Sequence, residues 1–417
     1  MSVVTSMAAH ASTAPAAGRG HVHWVDWLKV LAVLGVFYYH SAMPFVLAPW
    51  MITNQDRSVV LTVIAGTGFY FGMPLLFLLS GAASSFAVRS RTTAAFLRLR
   101  FTRLVIPMIA GFLILSPIQA YFVLASKGTA EPLWQYYPHF FTTMQWFWNP
   151  RWFGTYGYHL WFLAFLFLYS VLIVPLIVLA RRPDGRRSLS RFADLCDRPL
   201  GLLLFVVPLV LVQIALRARF PWYQDWTDFL YLFVFFACGY VILTQPRFED
   251  IIARRAGALF RFALGLAVLF TLVTGPDLIR HWELTPSFSV GWVAYQVVRT
   301  TGIWALVVAL LAFGIRHLDY RTRLLDYASE AVMPFYVLHH PVIVVIGSFV
   351  LQANANLWVK HAVLTTTALA CTLVIYELGV RRFAPMRWFF GMRPLPRPAR
   401  PAEPITPVRL ALGGSHA

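Results

Sequence analysis

The chain has 417 residues, of which 59% are hydrophobic and only 12% charged, with a mean hydropathy of +0.65 and a formal net charge of +18. That balance describes an integral membrane protein, with the lipid bilayer as its first partner, rather than a soluble domain. The positive charge does not point to nucleic acid, because the basic residues, nearly all Arg, lie between apolar runs, where they mark topology.

Residues 1–21 are rich in Ala, Ser, Thr and Gly and read as a disordered cytoplasmic tail. The first apolar run starts near Trp24 without a clear cleavage site after it, so it reads as an uncleaved first helix. Ten spans of about 17–25 residues follow the hydropathy: 24–45, 60–86, 104–125, 158–180, 200–217, 228–245, 258–275, 292–314, 331–352 and 361–380. Arg261 interrupts the start of the seventh. Alternate connections carry the arginines: Arg89 to Arg103, Arg181 to Arg191, Arg247 to Arg255, Arg316 to Arg323, and Arg381 to Arg387. The positive-inside rule therefore places both termini in the cytoplasm and requires an even number of spans. The predicted fold is an all-α, polytopic membrane protein, multi-pass in the inner (plasma) membrane. One transmembrane domain over 22–390 carries the function, and a Pro/Arg-rich cytoplasmic tail, extended and mobile, occupies 391–417. Cys196, Cys238 and Cys371 form no CxxC or His/Cys cluster, so neither a disulfide framework nor a metal site is expected.

The first span carries Asp26, Lys29 and His40. On a helix, Asp26 to His40 leaves about −40° and Lys29 to His40 about +20°, so the three share one face. Charges inside a membrane are costly, and such a face should look into the protein. His40 lies about 16 Å along the axis from Lys29, so this face links the cytoplasm to the outer half of the membrane. Ser80-Gly81-Ala82-Ala83-Ser84 at the inner end of span two suits close helix approach. Arg100 and Arg103 enter span three from the cytoplasm, three residues apart, and paired arginines suit phosphate oxygens.

These motifs, taken in order, resemble the acyltransferase family 3 membrane proteins. The first-helix pattern of a basic residue, ten residues and a histidine is met by Lys29 and His40, with Lys in place of the commoner Arg. The cytoplasmic Arg-x-x-Arg is met by Arg100 and Arg103, and Ser80-Gly81 and Leu160-Trp-Phe-Leu163 resemble further family blocks. Within the family the chain most resembles the branch of glucan biosynthesis protein C. The resemblance implies transfer of an acyl group (acetyl or succinyl) from cytoplasmic acyl-CoA to a hydroxyl, often on a glycan facing the other side. Acyl-CoA is then a donor substrate, and no permanently bound cofactor is implied.

The residues suit that chemistry. Lys29, Arg100 and Arg103 stand on the side where a polyanionic CoA would arrive. His40 can deprotonate an acceptor hydroxyl or carry the acyl group itself. Asp26 is about 21 Å from His40 along the helix and cannot orient it. His339 and His340, mid-way in span nine before Pro341, have the right depth, unless Pro341 kinks the helix and both serve only the freed carbonyls. Glu377 lies at the depth of Lys29 and suits an ion pair better than catalysis. The long outer connection 126–158 is rich in aromatics. With the residue that follows it, it supplies acceptor-side candidates Trp148, Arg151, Trp152 and His159, or an interfacial belt. A transporter or flippase of a lipid-linked or small anionic substrate would use the same inward charged face and is the alternative class.

Overall fold

The computed structural model describes residues 22–128 and 131–394. The predicted tail 1–21, and the tail from 395 onward, lie outside them. Among the described residues there is no strand, and nine helices are long and apolar enough to cross a membrane. With one shorter apolar helix they are named here in chain order: α1 His23–Phe45, α2 Val59–Arg89, α3 Thr93–Ala125, α4 Arg151–Leu172, α5 Gly201–Leu216, α6 Trp226–Thr244, α7 Arg247–Thr274, α8 Val290–His317, α9 Arg323–Val350 and α10 Leu357–Val380. Polar N-caps set several starts: Ser58, Thr92, Asp225, Ser289, Thr322 and Asn356 each accept a backbone N–H of the helix they precede.

The fold corrects the expected spans in three places. The fifth is the short helix α5. The fourth begins earlier, at Arg151, and ends at Leu172, with Val174–Arg181 a separate helix beyond it. The seventh is continuous from Arg247, straight through Arg261. Parity survives the shortening of α5. The start of α1 bonds the α8–α9 connection, His23 N–H to Asp319 and Trp27 Nε1 to the Tyr320 carbonyl, both at 3.0 Å. The end of α10 meets the start of α9 through Arg381 and Glu330. Both described ends therefore lie on one face, which needs an even number of crossings, and α5 must be one of them. Gly391, at φ +65°, packs on the Arg103 carbonyl, and the Met392 N–H bonds the Arg387 carbonyl at 2.8 Å.

α2 and α6 pack along their lengths. A Cβ at Gly81 would sit 1.8 Å from the Phe236 carbonyl oxygen, and one at Gly239 1.9 Å from that of Leu78, so only glycine permits the approach. α1 lies between α2 and α9, and α9 in turn packs on α10 and α3. This arrangement brings the outer end of α1 against the middle of α9, where the histidines are.

Candidate active site

Four histidines from three helices meet: His40 of α1, His159 of α4, and His339 and His340 of α9. His40 Nδ1 lies 3.1 Å from His339 Nε2, the His159 and His340 rings stack at 4.8 Å, and the His40 and His340 rings meet edge-on at 4.5 Å. His159, His339 and His340 are buried and His40 half-buried.

The backbone fixes the protons. His339 Nδ1 is 2.7 Å from the Tyr336 carbonyl, which can only accept, so Nδ1 bears the proton and Nε2 is bare. His40 Nδ1–H must then donate to that bare nitrogen. Neutral His40 is left with its lone pair on Nε2. His340 Nδ1–H donates to Gln119 Oε1 of α3 at 2.8 Å. Pro341 has no N–H, so the Val337 carbonyl one turn back loses its helical donor. His159 Nε2–H supplies one, at 3.0 Å, and its buried Nδ1 has no partner among the described residues. The expectation that His339 and His340 would serve the carbonyls freed by Pro341 is therefore corrected. The freed carbonyl takes a histidine from α4, His339 bonds its own helix, and His340 bonds Gln119. Among the described residues, no group of three or more His, Cys, Asp or Glu side chains is placed to hold a metal ion.

His40 and His159 line a cavity of about 320 Å³ that follows the apolar face of α1 to Leu28. Gly35, Gly68 and Gly72 also line it, and an added Cβ at any of them would meet nothing within 4 Å. Unlike Gly81 and Gly239, these glycines leave open space.

On the Arg-rich face, Arg100 Nη2 donates to Ser84 Oγ of α2 at 2.5 Å, and its guanidinium stands over the Phe96 ring. Its buried Nε has no partner among the described residues. Arg91 and Arg393 add like charge beside Arg103. No carboxylate pairs with Arg100 or Arg103 among the described residues. The chain here makes a π-helical turn, Phe101–Val105, a local feature frequent at functional sites. Lys29 differs, because Asp26, one turn back, holds its ammonium at 2.7 Å. Of the three expected donor-side cations, Arg100 and Arg103 have no carboxylate partner among the described residues, and Lys29 is already neutralised.

A family model described as an acyltransferase domain, that of acyltransferase family 3, matches residues 22–377. The chain belongs to this family. It is a multi-pass membrane protein and an acyltransferase enzyme. The chain is similar to the glucans biosynthesis protein C of Escherichia coli. The K12 protein is 20% identical over 392 residues, and that of O1:K1 21% identical over 383. In both cases 88% of this chain and 93% of the relative are covered. No solved structure gives a significant match.

The other sequence-predicted residues of this acyltransferase fall into separate places. Ser80 Oγ bonds its own helix at Leu76, and it is Ser84, one turn on, that meets Arg100. Glu377 accepts from Arg381 at 3.1 Å and from Tyr327, so it is engaged in an ion pair. On the outer connection, Trp148 is 81% exposed, Trp152 packs on Trp146 and Tyr156, and Arg151 lies over Trp222. His159 does not stand with them; it is inside, against His340. Sequence reasoning missed Gln119, gave Ser84 only a packing role, and did not place His159 among the other histidines. A signal existed only for Ser84, which lies one turn from Ser80.

Proposed function

We propose that this enzyme transfers an acyl group, acetyl or succinyl, from cytoplasmic acyl-CoA to a hydroxyl of an envelope glycan, working in the inner (plasma) membrane. The relatives' printed name, a glucans biosynthesis protein, supports a glycan as acceptor. The observation that carries the reading is the proton arrangement of His40. Its Nδ1–H is tied to His339, and its bare Nε2 belongs to a ring that lines a cavity. In the proposed step, Nε2 takes the proton of the acceptor hydroxyl as the oxygen attacks the thioester carbonyl. The carbon–sulfur bond breaks, and the CoA thiolate recovers the proton from the imidazolium. Hydrogen bonding to His339 orients the ring and stabilises the charge it gains. Arg100 and Arg103, lacking carboxylate partners, suit the phosphates of CoA. Lys29 adds long-range positive potential at most, since Asp26 holds it.

The test compares envelope glycans by mass spectrometry from cells with the gene, without it, and with His40→Ala at equal expression. Ester-linked acyl groups should appear only with the intact gene. Unchanged acylation in His40→Ala cells would overturn the reading.

A further inference from the structure

A second cavity, of about 210 Å³, shares Phe69, Met73 and Tyr223 as a common wall with the His40 cavity. It lies toward the helix ends opposite the Arg-rich face, where Arg217 and Asp228 join the end of α5 to the start of α6. Its charges balance. Arg217 is ion-paired with Asp228, the Glu283 carboxylate accepts from the hydroxyls of Tyr70 and Tyr295, and Arg299 stands 5.0 Å over the Tyr70 ring. An anionic ligand therefore finds no net attraction here.

Four buried polar atoms on three helices have no matched hydrogen-bond partner among the described residues: Gln213 Nε2 of α5, the Tyr231 hydroxyl of α6, which has only the Thr300 hydroxyl near it, and Gln296 Oε1 and Arg299 Nε of α8. All four residues line the cavity, and Gln213, Gln296 and Tyr231 are at most 5% exposed. Leaving such groups unpaired weakens a fold, so their concentration around one cavity points to a ligand that completes them. They comprise two N–H donors, one carbonyl acceptor and one hydroxyl, a mixture matched by groups that both donate and accept. Phe69, Tyr70 and Tyr223 offer aromatic faces to C–H bonds. The volume is below the ~300 Å³ at which pockets for drug-sized ligands begin, and suits one small ring.

Resting on the glycan-acceptor reading above, we propose that this cavity is a subsite for one neutral sugar ring of the acceptor. A neighbouring ring then lies in the His40 cavity across the shared wall. The remote ring adds binding that ground state and transition state share, so an oligosaccharide should show a lower acceptor KM than a monosaccharide at similar kcat.

The test uses the full chain in nanodiscs, a short linear glucose oligosaccharide as acceptor, and acetyl-CoA or succinyl-CoA as donor. Tyr231→Phe, Gln213→Leu and Gln296→Leu should each raise the acceptor KM about three- to tenfold, the weight of one hydrogen bond. Donor affinity and kcat should not change. Thermal stability should hold or rise in Tyr231→Phe and Gln296→Leu, which remove an unpaired buried atom, and fall somewhat in Gln213→Leu, which also removes the Oε1 that accepts from Arg217 Nε. An unchanged acceptor KM in all three variants would overturn the subsite and leave the enzymatic reading standing. If no acyl group is transferred at all, calorimetric titration of the oligosaccharide still decides. Wild-type binding that weakens in the variants upholds the subsite, and no binding overturns it.

Discussion

The two cavities on either side of Phe69 and Tyr223 differ in how far their polar groups are paired: around the first, His159 Nδ1 alone among the buried ring nitrogens of the described residues has no partner, and several groups stay open around the second. Around His40, the nitrogens assigned a proton are matched to acceptors: His40 to His339, His339 to Tyr336, His340 to Gln119 and His159 to Val337. Across the wall, Gln213, Tyr231, Gln296 and Arg299 keep atoms open. The difference separates two tasks. A group that must move a proton needs its tautomer fixed before substrate arrives, so its neighbours are spent on holding it. A group that recognises a ligand must stay unpaired until the ligand comes.

The largest expected effect breaks the first side of this contrast. His40→Ala or His40→Gln should lower kcat by at least about 10²-fold, the lower bound for a positioned general base, with donor binding preserved. Wild-type kcat should fall on sufficient acidification, because protonated His40 has no lone pair to offer; the His40→Ala residual rate should lack that limb. Next, Arg100→Ala and Arg103→Ala should each weaken acyl-CoA binding roughly 10- to 100-fold, at about 1.5–3 kcal/mol for one charge-assisted bond. Acceptor KM should be untouched; titration calorimetry with a non-hydrolysable acyl-CoA reads the donor side directly.

A smaller change isolates the wiring itself. His339→Leu removes the acceptor for His40 Nδ1–H and frees the tautomer. It should cut kcat about tenfold, the net weight of one such bond, while both KM values stay put. His339→Gln, which restores an acceptor oxygen, should recover part of the loss; equal kcat in Leu and Gln variants would demote His339 to packing. Smallest is the effect of Gly72→Leu. Nothing lies within 4 Å of a Cβ at Gly72, so the variant should fold and narrow the His40 cavity, slowing turnover a few-fold. Gly239→Ala should instead lower the melting temperature, since its Cβ would strike the Leu78 carbonyl. Similar melting temperatures for the two variants would erase the distinction between open and packed glycines.

The sequence by itself determined what depends on neighbours along one helix. Apolar runs set the spans, arginine asymmetry set their direction, and 3.6-residue periodicity put Lys29 and His40 on one face, because these follow from transfer energies and local geometry. The local Asp26–Lys29 pair was within reach of the same arithmetic, since residues three apart on a helix are neighbours. Tertiary structure decided what joins distant segments. His40 and His339 are 299 residues apart in the chain. Pro341 announces that the Val337 carbonyl needs a donor, but not that His159 of another helix will provide it. Gln213, Tyr231, Gln296 and Arg299 look like ordinary polar interruptions of apolar runs until packing brings α5, α6 and α8 together. Periodicity gives the direction of a side chain about its own axis, and only the docking of the helices says what that side chain meets.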